Sequence, residues 1–191
     1  MKKKNLELYA LLDVATLKKH SKSIEWFVSN AKKLNATIIQ YRNKTNDKDI
    51  MIDDLKLLKS LCDIDIIVND NLSLVEYCDG IHLGQEDILR YGEDINRASL
   101  YVREKIGKKI FGLTVHNEEE ILIANNLCID YVGLGAYRAT NTKDVSNILG
   151  EKADILANLS KKDVAIIGGV KLTDSFKNAK YIVVGSNLYE N

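Results

Sequence analysis

Apolar residues recur along the chain in eight short runs, separated by longer polar segments. The runs last four to six residues and are rich in Ile, Val, Leu and Tyr, which is typical of parallel strands buried on both faces. They cover residues 7–12, 37–41, 65–68, 80–83, 109–113, 131–134, 164–167 and 181–184. The pattern therefore predicts eight parallel strands.

The segments between these runs carry helical periodicity. Residues 23–34, 47–61 and 117–127 repeat apolar side chains every three or four positions. Ser23 and Asn117 open two of these repeats as candidate helix caps. Strands that alternate with helices predict an α/β fold, a single (β/α)8 TIM barrel, rather than an open sheet. No linker or repeat interrupts the pattern, so residues 1–191 are predicted to form one domain.

The predicted barrel departs from the regular pattern in two places. Residues 68–80 leave room for only a short third helix, and only five residues follow Ser186. The last helix is therefore predicted to be truncated or absent. Either something else covers the outer face near the last strand, or that face is exposed. Exposed apolar strand surface is a candidate subunit interface, which would make the protein a homo-oligomer.

Composition narrows the classes of partner. The 27 acidic residues balance 27 Lys and Arg, so no overall field recruits nucleic acid or an anionic membrane. No apolar run approaches the ~20 residues of a membrane span, and the expected location is the cytoplasm. Cys62, Cys78 and Cys128 are an odd number without metal-site spacing, and each is expected to be a buried, reduced thiol.

Polar clusters follow strand after strand and indicate one site at one rim of the barrel. Asp70 and Asp87 follow strands three and four, which are neighbours. Two carboxylates with substrate phosphate oxygens and water make an ordinary Mg²⁺ site, although either residue alone could simply cap a helix. Gln40, Arg42 and Lys44 alternate along strand two and project together, where Arg and Lys suit phosphate.

Two further sets of residues favour phosphate binding. Thr140, Thr142 and Lys143 offer hydroxyls and an ammonium after strand six. Gly168 with Gly169, and Gly185 with Ser186, end strands seven and eight, where barrel enzymes often hold a phosphate through backbone N–H groups. The competing interpretation is an ordinary loop and two tight turns.

The histidines divide between structural and chemical roles. His82 alternates with apolar residues on strand four and is expected to be structural. His116 lies at the rim beyond strand five and could exchange protons near neutral pH.

Taken together, these motifs resemble the thiamine phosphate synthase family and its relative, the thiazole tautomerase. The resemblance runs through nearly the whole chain in order. It rests on Gln40-x-Arg42-x-Lys44, Asn69-Asp70, residues 82–87, residues 131–135, Thr140-x-Thr142-Lys143 and residues 167–170.

The resemblance implies a transferase that joins a hydroxymethylpyrimidine diphosphate to a thiazole phosphate and releases pyrophosphate. By position, the pyrimidine diphosphate would be held by Gln40, Arg42, Lys44, Asn69, Thr114 and Lys143. Asp70 and Asp87 would bind Mg²⁺. The thiazole phosphate would be held by Thr140, Thr142, Gly168, Gly169, Gly185 and Ser186. Arg42, Lys44, Lys143 and Thr114 would act in catalysis, the cations by stabilising the leaving charge.

Four positions depart from the family pattern. Asn71 stands where the family usually has Arg, Thr114 where it has Ser, and Arg138-Ala139 where it has Phe-Pro. Arg138 adds a cation that could replace the one missing at Asn71. Two alternatives to the synthase therefore stay open. One is a tautomerase-like isomerase that uses His116, and the other is a non-catalytic binder of thiazole phosphate.

Overall fold

The structure, a computed structural model, describes residues 6–45, 47–139 and 148–189. Eight parallel strands form a closed barrel in which each strand pairs with the next and β8 pairs with β1. The strands are β1 (Glu7–Asp13), β2 (Ala36–Arg42), β3 (Asp65–Asn69), β4 (Gly80–Leu83), β5 (Ile110–Val115), β6 (Tyr131–Leu134), β7 (Asp163–Ile166) and β8 (Tyr181–Val184). The predicted TIM barrel is confirmed.

Helices follow the strands and cover the outside of the barrel. The α-helices are α1 (Val14–Lys19), α2 (Ile24–Lys33), α3 (Lys48–Leu61), α4 (Gln85–Ile88), α5 (Ile95–Ile106), α6 (Glu118–Ala124) and α7 (Lys152–Ala157). Three 3₁₀ helices span Leu72–Tyr77, Leu89–Tyr91 and Ser186–Tyr189. Among the described residues, no helix has the length and apolar character that a membrane crossing requires.

Side-chain caps start the helices where the sequence indicated. Ser23 accepts a hydrogen bond from the Trp26 amide, and Asn117 accepts one from the Glu120 amide. These side chains satisfy amides that have no partner inside the helix. Helix α1 was not predicted, and it begins at once after β1 because Asp13 caps it by accepting from the Thr16 amide.

The barrel buries two separate sets of apolar residues. Outward-facing strand residues pack under the helices in the larger set. Inward-facing residues form a small set inside the barrel, made by Tyr9, Ile38, Ile67, Tyr131, Ala165 and Val183. Both faces of each strand are therefore buried, which explains the continuous apolar runs in the sequence.

Two glycines make room inside the barrel for large side chains. A Cβ at Gly112 would lie 2.1 Å from the Tyr131 ring, and a Cβ at Gly133 would lie 2.8 Å from Cε1 of His82. Both distances are far below van der Waals contact. Because Gly112 on β5 and Gly133 on β6 have no side chain, the Tyr131 ring and the His82 ring fill the space beside them.

A short 3₁₀ turn covers the outer face near β8, where the chain was predicted to lack a full helix. Leu188 and Tyr189 are buried there. The ring centroids of Tyr189 and Phe27 lie 5.7 Å apart. Asn30 donates a hydrogen bond of 3.0 Å to the Leu188 carbonyl. The chain itself thus covers this face. The expectation of an interface there depended on exposed apolar strand surface, which the 3₁₀ turn covers.

The cysteine prediction was wrong at one position. Cys62 and Cys78 are free and buried, as expected, whereas Cys128 is free and exposed. Cys128 lies in the turn between α6 and β6. The apolar residues beside it point inward from that turn, and the thiol does not.

We expect Tyr189→Ala to lower the free energy of unfolding by about 3 kcal/mol, because it empties a buried aromatic position. Tyr189→Phe keeps the ring and should stay within about 1 kcal/mol of the parent protein. Urea unfolding monitored by circular dichroism measures both. Equal stability of the Ala and Phe variants would contradict the role assigned to this ring.

Candidate active site

The predicted site residues converge on the rim formed by the carboxyl ends of the strands. Gln40 and Arg42 lie on the last part of β2, Asn69 ends β3 and Thr114 lies near the end of β5. The remaining described residues of the set follow strand ends directly or within a few residues. They are Lys44, Asp70, Asp87, Gly168, Gly169, Gly185 and Ser186. Thr140, Thr142 and Lys143 lie outside the described residues.

The two carboxylates predicted to bind metal meet across Gly84. The Gly84 amide donates to Oδ1 of Asp70 at 3.4 Å, and Oδ2 of Asp87 lies 2.8 Å from the place a Gly84 Cβ would occupy. The Asn69 side-chain amide donates to the other oxygen of Asp70. Burial raises the pKa of Asp70, and the charge of Asp87 raises that pKa further. Oδ1 of Asp87 also pairs with Arg90 at 2.9 Å. The two carboxylates thus form a compact cluster of hard oxygen atoms.

Asp70 adopts a backbone conformation that few residues accept. Its φ is +61°, in the left-handed region, which Asp and Asn visit more readily than other residues with a side chain. Its amide donates to the His82 carbonyl at 2.9 Å, across from β3 to β4. Strain of this kind persists where the surroundings impose it and is concentrated at functional sites.

The cations of the β2 segment have different surroundings. Arg42 forms an ion pair with Asp13, whose side chain also caps α1. This contact ties the end of β2 to the end of β1. Lys44 is exposed beyond the strand. The predicted common direction of Gln40 and Arg42 agrees with these contacts, since both reach partners on β1.

A chain of hydrogen bonds crosses the barrel just below the rim. Gln40 donates to the Tyr9 hydroxyl at 2.7 Å, and the hydroxyls of Tyr9 and Tyr131 lie 2.8 Å apart. His82 then bridges Tyr131 and Thr114, with 2.8 Å from Nδ1 to the Tyr131 hydroxyl and 2.8 Å from Nε2 to the Thr114 hydroxyl. His82 thus has the buried, hydrogen-bonded position expected of a structural histidine.

The glycine turns after β7 and β8 supply backbone donors. Gly168 and Gly169 have φ values of +81° and +67°, and a Cβ on Gly169 would lie 2.8 Å from Cβ of Arg138. Glycine is therefore required at both positions. Among the described residues, no hydrogen bond uses the amides of Gly169, Gly185 or Ser186. Such amides can receive a phosphate.

The departures from the family pattern have local roles in the structure. Asn71 caps the 3₁₀ helix Leu72–Tyr77 by accepting from the Ser73 amide. Arg138 pairs with both oxygens of Asp174, at 2.6 and 2.9 Å, and donates to the Gly169 carbonyl. Arg138 therefore joins the loop after β6 to the loop after β7. Its guanidinium is committed to that contact, which argues against its replacing the cation missing at Asn71.

His116 lies between β5 and α6, as predicted, and is tied to the start of that helix. Its ring Nδ1 lies 3.0 Å from Oε2 of Glu120, and the same oxygen accepts from the His116 amide at 2.8 Å. This contact orients the ring. Among the described residues, the Glu120 carboxylate is the only group that hydrogen-bonds the His116 ring.

Comparison with known proteins agrees with this geometry. The family described as thiamine monophosphate synthase (TMP-TENI) matches residues 8–185 of the chain. The chain belongs to the thiamine monophosphate synthase family. The predicted family is thereby confirmed.

Individual members of this family align along most of their length. A thiamine-phosphate synthase of Persephonella marina is 34% identical over 187 residues, covering 93% of this chain and 84% of that protein. A thiamine-phosphate synthase of Clostridium botulinum is 35% identical over 179 residues, covering 89% and 82%. A solved structure of thiamine phosphate pyrophosphorylase from Pyrococcus furiosus has a TM-score of 0.78 at 24% identity, covering 99% of this chain and 90% of that one. That likeness supports the barrel fold.

Sequence reasoning missed several residues that shape the site of this family member. Tyr9 and Tyr131 were assigned only to strands, and Asp13 was not singled out. Gln85 was noted only as part of a motif, yet its side chain donates to the Thr114 carbonyl at 2.7 Å. Strand alternation was the available signal for the tyrosines, since both face the barrel interior. Tyr9 pairs with Ile38, two positions before Gln40 on β2, and Tyr131 lies in register with His82 through Gly112.

We expect Asp174→Asn to lower stability by about 0.5–1 kcal/mol at pH 7, because it breaks a partly exposed ion pair with Arg138. Arg138 holds the pKa of Asp174 below its usual range. The stabilisation is therefore complete above about pH 4 and is lost as the pH falls through the lowered pKa. Urea unfolding at pH 7 and at pH 3 should show the difference between variant and parent shrinking with acidification.

The control for this prediction is Glu104→Gln, which neutralises an exposed carboxylate of α5. It should leave stability unchanged at both pH values. A difference between Asp174→Asn and the parent that is constant down to pH 3 would show that the ion pair is not its origin.

Proposed function

We propose that this protein is a magnesium-dependent thiamine phosphate synthase. It would couple 4-amino-2-methyl-5-(diphosphooxymethyl)pyrimidine to thiazole phosphate and release pyrophosphate. The observation that carries the proposal is the meeting of Asp70 and Asp87 across Gly84, on the same rim as Arg42 and the glycine turns. This activity is also the one named in the family description and in the relatives.

The reaction needs no protein nucleophile. The bond between the pyrimidine methylene carbon and the diphosphate oxygen breaks, and its electron pair leaves with pyrophosphate. The thiazole nitrogen donates its lone pair to the resulting carbon cation and forms the new C–N bond. The protein must hold the two substrates in line and stabilise negative charge on the leaving oxygen.

The donor set fits Mg²⁺ in a particular way. Among the described residues, no three His, Cys, Asp or Glu side chains are grouped to hold a metal. Mg²⁺, however, commonly takes one or two carboxylates and completes its shell with substrate phosphates and water. Asp70 and Asp87 supply that number. When bound, Mg²⁺ would neutralise charge on the diphosphate.

The remaining residues divide between the two substrates. Arg42 and Lys44 lie next to the carboxylate pair in strand order and suit the diphosphate. Gln40, Asn69 and Thr114 line the inner wall and suit the pyrimidine. The amides of Gly169, Gly185 and Ser186 suit the phosphate of the thiazole. By position, Thr140 and Thr142 are assigned to that phosphate and Lys143 to the pyrimidine diphosphate.

The test is a coupling assay with both substrates, Mg²⁺ and an EDTA control. We expect thiamine phosphate to form only with Mg²⁺. Asp70→Asn keeps a residue that tolerates the left-handed backbone but removes the charge. It should lower kcat/KM at limiting Mg²⁺ by about 100-fold or more, in line with the loss of a charged group from a transition-state site.

The matched control is Asp63→Asn, which neutralises an exposed carboxylate at the opposite end of the barrel, before β3. It should behave like the parent protein. Full, EDTA-resistant activity in Asp70→Asn would overturn the metal assignment. Thiazole phosphate binding by folded protein without any coupling would overturn the synthase in favour of a non-catalytic binder.

A further inference from the structure

The hydrogen-bond chain inside the barrel connects two walls of the proposed site. It begins at Gln40 on β2, passes through Tyr9 and Tyr131, and reaches Thr114 on β5 through His82. All five residues are buried. Proton positions in such a chain depend on one another, because each hydroxyl has a single proton to donate.

One proton arrangement satisfies every donor when Gln40 donates to Tyr9. Among the described residues, the Tyr9 hydroxyl contacts only Gln40 and Tyr131 through hydrogen bonds. Its own proton must therefore go to Tyr131, because a buried donor without an acceptor is costly. Tyr131 then donates to Nδ1 of His82. His82 consequently carries its proton on Nε2 and donates it to the Thr114 hydroxyl.

The two tyrosines keep their protons under ordinary conditions. Burial raises the pKa of both Tyr9 and Tyr131, and at Tyr131 the neighbouring Tyr9 raises the pKa further. Neither hydroxyl ionises near neutral pH. The direction of the chain is therefore fixed by its hydrogen bonds and not by the charge of either tyrosine.

We propose that Tyr9 and Tyr131 are positioning residues that fix the hydrogen-bond polarity of the pyrimidine site at Gln40 and Thr114. In the arrangement above, Gln40 retains its carbonyl oxygen and a second N–H for a ligand, and Thr114 retains its hydroxyl proton. An amide that offers both groups matches an amino group beside a ring nitrogen, as amides do with adenine. The inference rests on the proposed function, in which the substrate is an aminopyrimidine.

A hydrogen-bond chain with every donor and acceptor reversed would present the wrong groups to an aminopyrimidine. If Gln40 turned its carbonyl to Tyr9, the amide would offer only N–H groups to the ligand. The amino group of the ligand would then face the N–H donors of Gln40, and the Thr114 hydroxyl could only accept a hydrogen bond from the ligand. Tyr9 and Tyr131 thus act on the substrate through Gln40 and Thr114 without touching it.

The first test measures the tautomer of His82 in protein without substrate. The chain contains 3 histidines, so their ¹⁵N side-chain resonances can be assigned by substitution of His20 and His116. At about pH 8, where an ordinary histidine is neutral, we expect the Nε2–H tautomer. Tyr131→Phe should shift His82 towards a mixture of tautomers. Tyr9→Phe should not, because Tyr131 keeps its hydroxyl. A parent protein with the Nδ1–H tautomer would overturn the inference.

The second test separates the two substrates. We expect both Tyr→Phe variants to raise KM for the pyrimidine diphosphate by about tenfold, the effect of roughly one hydrogen bond. KM for thiazole phosphate should change less than about twofold. Tyr41→Phe is the matched control, because Tyr41 is also buried and its hydroxyl donates to Asp54 at 2.6 Å, outside the barrel interior.

The outcomes distinguish this inference from the proposed function. Equal increases in KM for the pyrimidine diphosphate and for thiazole phosphate would show that Tyr9 and Tyr131 act only through packing. The same increase in Tyr41→Phe would lead to the same conclusion. A parent protein without coupling activity would contradict the proposed function. The tautomer of His82 would still show the direction of donation along the hydrogen-bond chain, since the tautomer is measured without substrate.

Discussion

The closure of eight parallel strands into a barrel is the constraint on which the rest of this structure depends. Side chains alternate along each strand, so alternate residues of all eight strands share one interior. Along β2 the inward positions change from Ile38 to Gln40, and along β3 from Ile67 to Asn69. The same strands therefore provide an apolar core at one level and the polar floor of a site at the next.

The rim is stiffened because its polar groups hold one another across strand boundaries. Asp13 of β1 holds Arg42 of β2, and Asp70 after β3 accepts from Gly84 after β4. Arg138 and Asp174 join the loops that follow β6 and β7. These contacts tie the described loops of the rim to one another, so the side chains that make them are held in place by the barrel.

Periodicity predicted the barrel well because both of its signals are local. Apolar runs of strand length and capped helical repeats placed every strand of the described chain to within two residues. Motif order then placed Asp70, Asp87 and Gly169 at the rim. Contacts between distant residues were beyond that reasoning. The meeting of Tyr9 with Tyr131, 122 positions apart, depends on closure, and the pairing of Arg138 with Asp174 depends on how two loops approach each other.

The glycines inside the barrel have a consequence for how this protein can change over time. The Tyr131 ring occupies the volume that a side chain at position 112 would need, and His82 does the same for position 133. Neither member of these pairs can be exchanged alone without a collision or a void. Divergence at these four positions should therefore be concerted, with bulk moving from one strand to its neighbour while the total volume enclosed by the barrel stays constant.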